Sequence, residues 1–242
     1  MKFEQHLNQQ LPLDSTFRDE IGKQVTLREY FGKRPVILAF VYYECPMLCS
    51  FVLNGLVKGL KPLRFNPGRE FDVVVISFNP KETSQQAGAK KIAYLKEYDR
   101  METAGGWHFL TGDQDSIRRA TQAAGFDYLY NPDSAQYAHA SGVIVLTPQG
   151  KFFRNFYGIE YAPRDLRLAL VEAASNKIGT RVDQLLLYCF HYDPQTGKYG
   201  VLITRVIRLA GTATVLVLGA FLFVSFRRER NMTALGARTS EH

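Results

Sequence analysis

Val36-Ile37-Leu38-Ala39-Phe40-Val41-Tyr42-Tyr43-Glu44-Cys45-Pro46-Met47-Leu48-Cys49 is the stretch that decides how this chain folds. Its first eight residues form an unbroken apolar run, the pattern of a strand buried on both faces. Two of the three cysteines follow at once, four residues apart, where that strand should end and a helix begin. Unpaired N–H groups and the dipole at a helix start favour a thiolate, so a lowered thiol pKa is expected there. If the turn is helical, i, i+4 spacing puts both sulfurs on one face. Such a pair can share one soft metal ion, or close a disulfide if its Cα atoms lie within about 4.4–6.8 Å. Cys45 and Cys49 therefore point to thiol redox chemistry, thiolate metal binding, or both.

Working outward, residues 11–14 and 17–22 suggest a short hairpin or turn region before Val25-Thr26-Leu27, and Gly32-Lys33-Arg34-Pro35 turns the chain into the first strand, 36–43. Ser50 to Leu60 reads as a helix, and Phe71 to Phe78 as a second buried strand ended by Asn79-Pro80. Residues 83–99 read as a helix. Trp107-His108-Phe109-Leu110 is a short strand, in which His108 is read as structural, and Asp113 opens a helix through about Ala124. Gly142 to Thr147 and Lys151 to Tyr157 form a hairpin about Pro148-Gln149-Gly150, and Pro163 stands near the start of a last helix. Strands alternating with helices, then a hairpin and a helix, predict an α/β fold: a mixed sheet covered by helices on both faces.

Composition narrows the classes. With 46% hydrophobic and 13% aromatic residues the chain has ample material for a core, which excludes disorder as the main reading. Three cysteines are too few for a disulfide scaffold, and pairing two leaves the third over. The net charge of +7 comes from scattered residues and from those flanking an apolar C-terminal segment, with no Lys/Arg run interleaved with aromatics, so nucleic-acid binding is excluded.

That segment, LAGTATVLVLGAFLFVSF from Leu209 to Phe226, carries no charge over 18 residues. As a helix it extends roughly 27 Å, near the hydrocarbon thickness of a bilayer. Val201-Leu202-Ile203 extend it, Arg205 and Arg208 can snorkel to the interface, and Arg227-Arg228-Glu229-Arg230 stops it. A single-pass transmembrane helix over 201–226 is expected in preference to a buried core helix. The cationic residues after it, Arg227, Arg228, Arg230 and Arg238, outnumber Lys198, Arg205 and Arg208 before it, which places the basic tail 227–242 in the cytoplasm and the main domain outside. Met1 to His6 lacks the apolar region of a signal peptide, so either the sequence shown omits one or the topology is inverted.

The order of elements, with a cysteine pair just after the first long buried strand, resembles the thioredoxin-like fold. The stretches GKRPVILAFVYYECPMLC, VVVISFNPKET, WHFLTGD and YAHASGVIVLTPQGKF resemble the Sco/SenC family of copper chaperones for cytochrome oxidase assembly, over about residues 12–175. The resemblance implies a thioredoxin-like Sco/SenC domain over 1–176, with 177–200 a juxtamembrane connector. It implies that Cys45, Cys49 and His139 bind copper, as Cu(I) or Cu(II), for a cytochrome oxidase subunit or another copper-requiring protein. Two thiolates suit Cu(I), and an imidazole also suits Cu(II). The family often has Asp where Met47 stands, a second Pro at Ser50 and Asp-Pro at Asn79-Pro80. Met47 is read as packing rather than as a thioether ligand.

The alternative is a thiol–disulfide oxidoreductase, with Cys45 and Cys49 as its redox pair; a peroxidase with one low-pKa cysteine is a weaker third. Thioredoxin-like enzymes typically have two residues between their cysteines, whereas this chain has three, and simple exchange does not need His139. The chaperone is the favoured reading. Cys189 and His191 form a Cys-x-His before the apolar segment to which no role is given.

Overall fold

A computed structural model describes residues 1–45, 48–175, 190–193, 198–201 and 208–223. An N-terminal hairpin pairs β1 (Thr16–Arg18) with β2 (Gln24–Thr26) antiparallel. The chain then enters β3 (Val36–Val41), α1 (Leu48–Leu60), β4 (Asp72–Ser77), α2 (Ser84–Tyr98), β5 (Trp107–Leu110) and α3 (Gln114–Ala123). A small hairpin follows, β6 (Tyr128–Asn131) with β7 (Gln136–His139), then β8 (Gly142–Leu146), β9 (Phe152–Tyr157) and α4 (Pro163–Ala173). Past the domain, β10 (Phe190–Asp193) and β11 (Lys198–Val201) make a separate two-stranded sheet.

The central sheet has the order β5-β4-β3-β8-β9. Its β3, β4 and β5 run parallel, while β8 and β9 continue it antiparallel, so the sheet is mixed as the alternation of elements predicts. Every residue of β3 and β4 is buried, and successive side chains point to opposite faces, so both faces are covered. Helix α1 packs against α2 and α4, with α1 and α4 on β8 and α2 on β5. Phe40 of β3 packs against Phe126, which follows α3, at 5.1 Å between ring centroids.

Element ends follow local chemistry. Thr83 caps α2 in a reciprocal box with Gln86, and the Asp113 carboxylate accepts the Ser116 N–H at the start of α3. Pro163 occupies the first turn of α4, where a missing N–H costs nothing.

Residues 208–223, within the expected span, are helical and exposed throughout. Among the described residues no helix is long and apolar enough to cross a membrane. Residues 202–207 and 224–226 of the expected span, and the basic tail 227–242, lie outside the described residues.

Candidate metal centre

The site begins where β3 runs out. Sulfur and backbone interlock there: the Cys49 N–H donates to Cys45 Sγ at 3.3 Å, and the Tyr42 N–H donates to Cys49 Sγ at 3.3 Å. Glu82, buried in the loop after β4, holds this turn from behind. Its Oε2 accepts the Tyr43 N–H at 2.8 Å and the Ser77 hydroxyl, and its Oε1 accepts the Glu44 N–H at 2.9 Å. Burial pushes the Glu82 pKa up, against the lowering effect of these donors. The Tyr43 hydroxyl donates to the Leu110 carbonyl at 2.8 Å, tying the same turn to β5.

The third side arrives 90 residues later. An Asx turn, in which the Asn131 side chain accepts the Asp133 N–H, reverses the chain between β6 and β7. His139, the last residue of β7, is thereby set with Nε2 3.2 Å from Cys49 Sγ. Its Nδ1 lies 2.6 Å from the Ala140 carbonyl oxygen. A carbonyl only accepts, so Nδ1 carries the proton of the neutral ring and the Nε2 lone pair faces the sulfurs. The two Sγ atoms and a ring nitrogen of His139 all lie within 4.8 Å of one another.

The surroundings are aromatic and nearly dry. Cys45, Cys49 and His139 are 7%, 3% and 9% exposed. Phe78, Tyr42 and Phe126 pack around the imidazole at centroid distances of 5.2, 6.0 and 6.2 Å. Burial pushes the Cys49 thiol well above its ordinary range, and its hydrogen bond with Cys45 adds to this. The helix-start expectation of a lowered pKa is thus corrected for Cys49: desolvation of the thiolate outweighs the N–H it accepts. One side opens on a groove of about 660 Å³ whose lining includes Cys45, His139, Tyr42 and Tyr137.

Cys45, Cys49 and His139 are therefore brought together, and neither of the two described cysteines is in a disulfide. His108 stands apart on β5, half-buried, its ring 4.4 Å from that of Tyr30, and burial lowers its pKa. Met47 and Cys189 lie outside the described residues; of His191 only its backbone place on β10 is described. Glu82 is the site residue that sequence reasoning missed. A lone acidic residue after Asn79-Pro80 gives no sign that its carboxylate turns inward to backbone amides.

A model of the SCO1/SenC family matches residues 5–175. The SCO1 protein homolog of Bacillus subtilis is 28% identical over 166 residues, which cover 66% of this chain and 80% of that protein. Among solved structures, a candidate electron-transfer protein from Aquifex aeolicus aligns with a TM-score of 0.61 at 25% identity, covering 71% of this chain and 96% of that one. Arabidopsis thaliana ScoI, solved with copper bound, aligns with a TM-score of 0.52 at 24% identity, covering 66% and 95%. The thioredoxin-like α/β fold read from the sequence is the one found. With the family model spanning the whole sheet and all three groups of the centre, the chain belongs to the SCO1/SenC family.

Proposed function

We propose that this protein is a membrane-anchored copper chaperone that holds one ion between Cys45, Cys49 and His139. It would pass the ion to a cytochrome oxidase subunit or another copper-requiring protein. The observation that carries this reading is the convergence of two thiols and a lone-pair-bearing imidazole nitrogen within 4.8 Å. Soft sulfur donors with one imidazole match Cu(I), and the nitrogen suits Cu(II) as well. The Ala140 carbonyl, by holding the proton on Nδ1, leaves Nε2 as the donor. Loading requires reduced thiols and displaces their protons. The opening of Cys45 and His139 onto the groove gives a recipient's ligands a route for exchange.

Helix 208–223, with Val215 to Leu218 and Phe221 to Phe223 all exposed, supports membrane attachment through residues 201–226. The cationic excess after it supports a single-pass topology with the domain, residues 1–176, on the extracytoplasmic side. The thiol–disulfide alternative fits less well, because three residues separate the cysteines and simple exchange has no need of the imidazole set 3.2 Å from Cys49 Sγ.

The test is an anaerobic Cu(I) titration of the reduced, full-length protein in detergent. One equivalent bound, lost in the Cys45→Ser/Cys49→Ser variant and weakened about 10–100-fold in His139→Ala, is expected. A folded, reduced protein that takes up no Cu(I) sinks the proposal.

A further inference from the structure

Strand pairing gathers the tyrosines of the small hairpin on one side. Tyr130 stands opposite Tyr137, and Tyr128 opposite His139, in the β6–β7 register. Side chains two apart on a strand share a face, so Tyr128, Tyr130, Tyr137 and His139 lie on the same face of the hairpin. The Tyr137 ring lies 5.0 Å from that of Tyr130, 6.0 Å from that of Tyr128 and 5.3 Å from that of Tyr42, between centroids. Tyr130 is 43% exposed, so the rest of the fold leaves this row of rings open. It lines a second groove, of about 690 Å³, which shares Tyr42, Gln136 and Tyr137 with the groove onto which Cys45 and His139 open.

The polar groups along this second groove are mostly donors. Tyr128 Oη accepts from Gln114 Nε2 at 3.0 Å, which leaves its own proton to donate. Asn79 Oδ1 is spent on the Tyr137 hydroxyl at 3.3 Å and the Lys81 N–H at 3.1 Å, while its Nδ2 carries two further donors. The Lys81 ammonium stands 5.9 Å from the centroid of the Tyr130 ring. An α-helix satisfies its own carbonyls, and a β-strand brings N–H groups that need acceptors. A polyproline II segment matches the groove better. Prolyl amides offer carbonyls and no N–H, pyrrolidine rings pack on aromatic faces, and the backbone is extended before it binds.

We propose that this groove docks a proline-rich segment of the copper recipient, laid over Tyr128, Tyr130 and Tyr137 so that ligands flanking the prolines reach Cys45 and His139. The identity of that partner rests on the copper reading above. Docking beside the centre raises the effective concentration of the recipient's ligands there, which speeds exchange without any new bond to the ion.

The groove is tested first without metal. An octaproline peptide is titrated into the metal-free, full-length protein in detergent, beside a glycine–serine peptide of the same length. Saturable binding of octaproline alone is expected. Tyr130→Ala, which removes the exposed ring, should weaken it about tenfold. Tyr128→Phe keeps its ring and deletes only the free donor, and should weaken it about two- to tenfold. Should Tyr130→Ala loosen the hairpin, Tyr128→Phe decides. No saturable binding, equal binding of the two peptides, or affinity unchanged in Tyr128→Phe overturns the proposal.

The second arm starts from anaerobic, Cu(I)-loaded protein and follows transfer to a peptide bearing two cysteines and then eight prolines. The ion keeps its oxidation state; the peptide's thiols give up protons and Cys45 and Cys49 regain theirs. Transfer should run about tenfold faster than to the same two-cysteine peptide ending in glycine–serine repeats, and Tyr128→Phe should shrink that advantage. Equal rates overturn the assignment of the recipient. A wild-type protein that takes up no Cu(I) defeats the copper reading by itself, and the metal-free titration still decides the groove.

Discussion

Glu82 shows how much one carboxylate can organise. Two consecutive amides of the turn before Cys45 point at its two oxygens, so losing the side chain strands N–H groups that the fold has withdrawn from water. Glu82→Ala should therefore lower stability by about 2 kcal/mol in denaturant titrations, and Glu82→Gln, which keeps one acceptor oxygen, should recover part of the loss. Glu20 obeys the opposite linkage. Burial raises its pKa, but the ion-paired hydrogen bond to Lys91 and the Phe109 N–H outweigh this, and the folded value lies below the ordinary one. Its contribution is present above the unfolded carboxylate pKa and is lost as pH falls through the lower folded value. Glu20→Gln should cost about 1.5–3 kcal/mol at neutral pH, and the gap to wild type should narrow as unfolding is repeated at pH values stepped down below the ordinary carboxylate pKa.

At the scale of elements, α1 is seated by what its glycines lack. A Cβ on Gly55 would lie 1.9 Å from the Ile159 carbonyl oxygen, and one on Gly59 would lie 2.7 Å from that of Tyr161. Backbone cannot withdraw as a side chain can, so Gly55→Ala should destabilise by about 1–3 kcal/mol despite alanine's better helix propensity, measured by thermal or urea unfolding. The continuous apolar runs of β3 and β4 made those strands legible in the sequence, and the Pro163 and Asp113 signals located α4 and α3 to within a residue or two. The β6–β7 hairpin was not legible. Its residues are mostly exposed and show no alternation, and aromatic contacts such as Tyr137 with Tyr130, 5.0 Å between centroids, pack its strands together. His139 sits on that hairpin, so residue spacing alone could not bring it to the cysteines; only the family resemblance pointed there. Glu82 was hidden for a related reason, since its partners are main-chain amides and leave no trace in residue identity.

For the whole molecule, the proposed attachment divides the chain into a part that handles the ion and a part that keeps it at a surface. Deleting residues 201–242 should move the protein from the membrane fraction to the soluble fraction, with the sheet, the free thiols and Cu(I) uptake intact; fractionation with a thiol count on each fraction checks this. A centre assembled from residues 90 positions apart has one more consequence. A ligand gripping Cys49 and His139 at once acts as a removable cross-link between the first and second halves of the domain. It adds to folding stability about 4 kcal/mol when its free concentration is a thousandfold above its dissociation constant. Releasing the ion would loosen the same stitch and leave the empty protein more open to proteases than the loaded one, so that, on the proposed chaperone reading, delivery and turnover share one set of bonds.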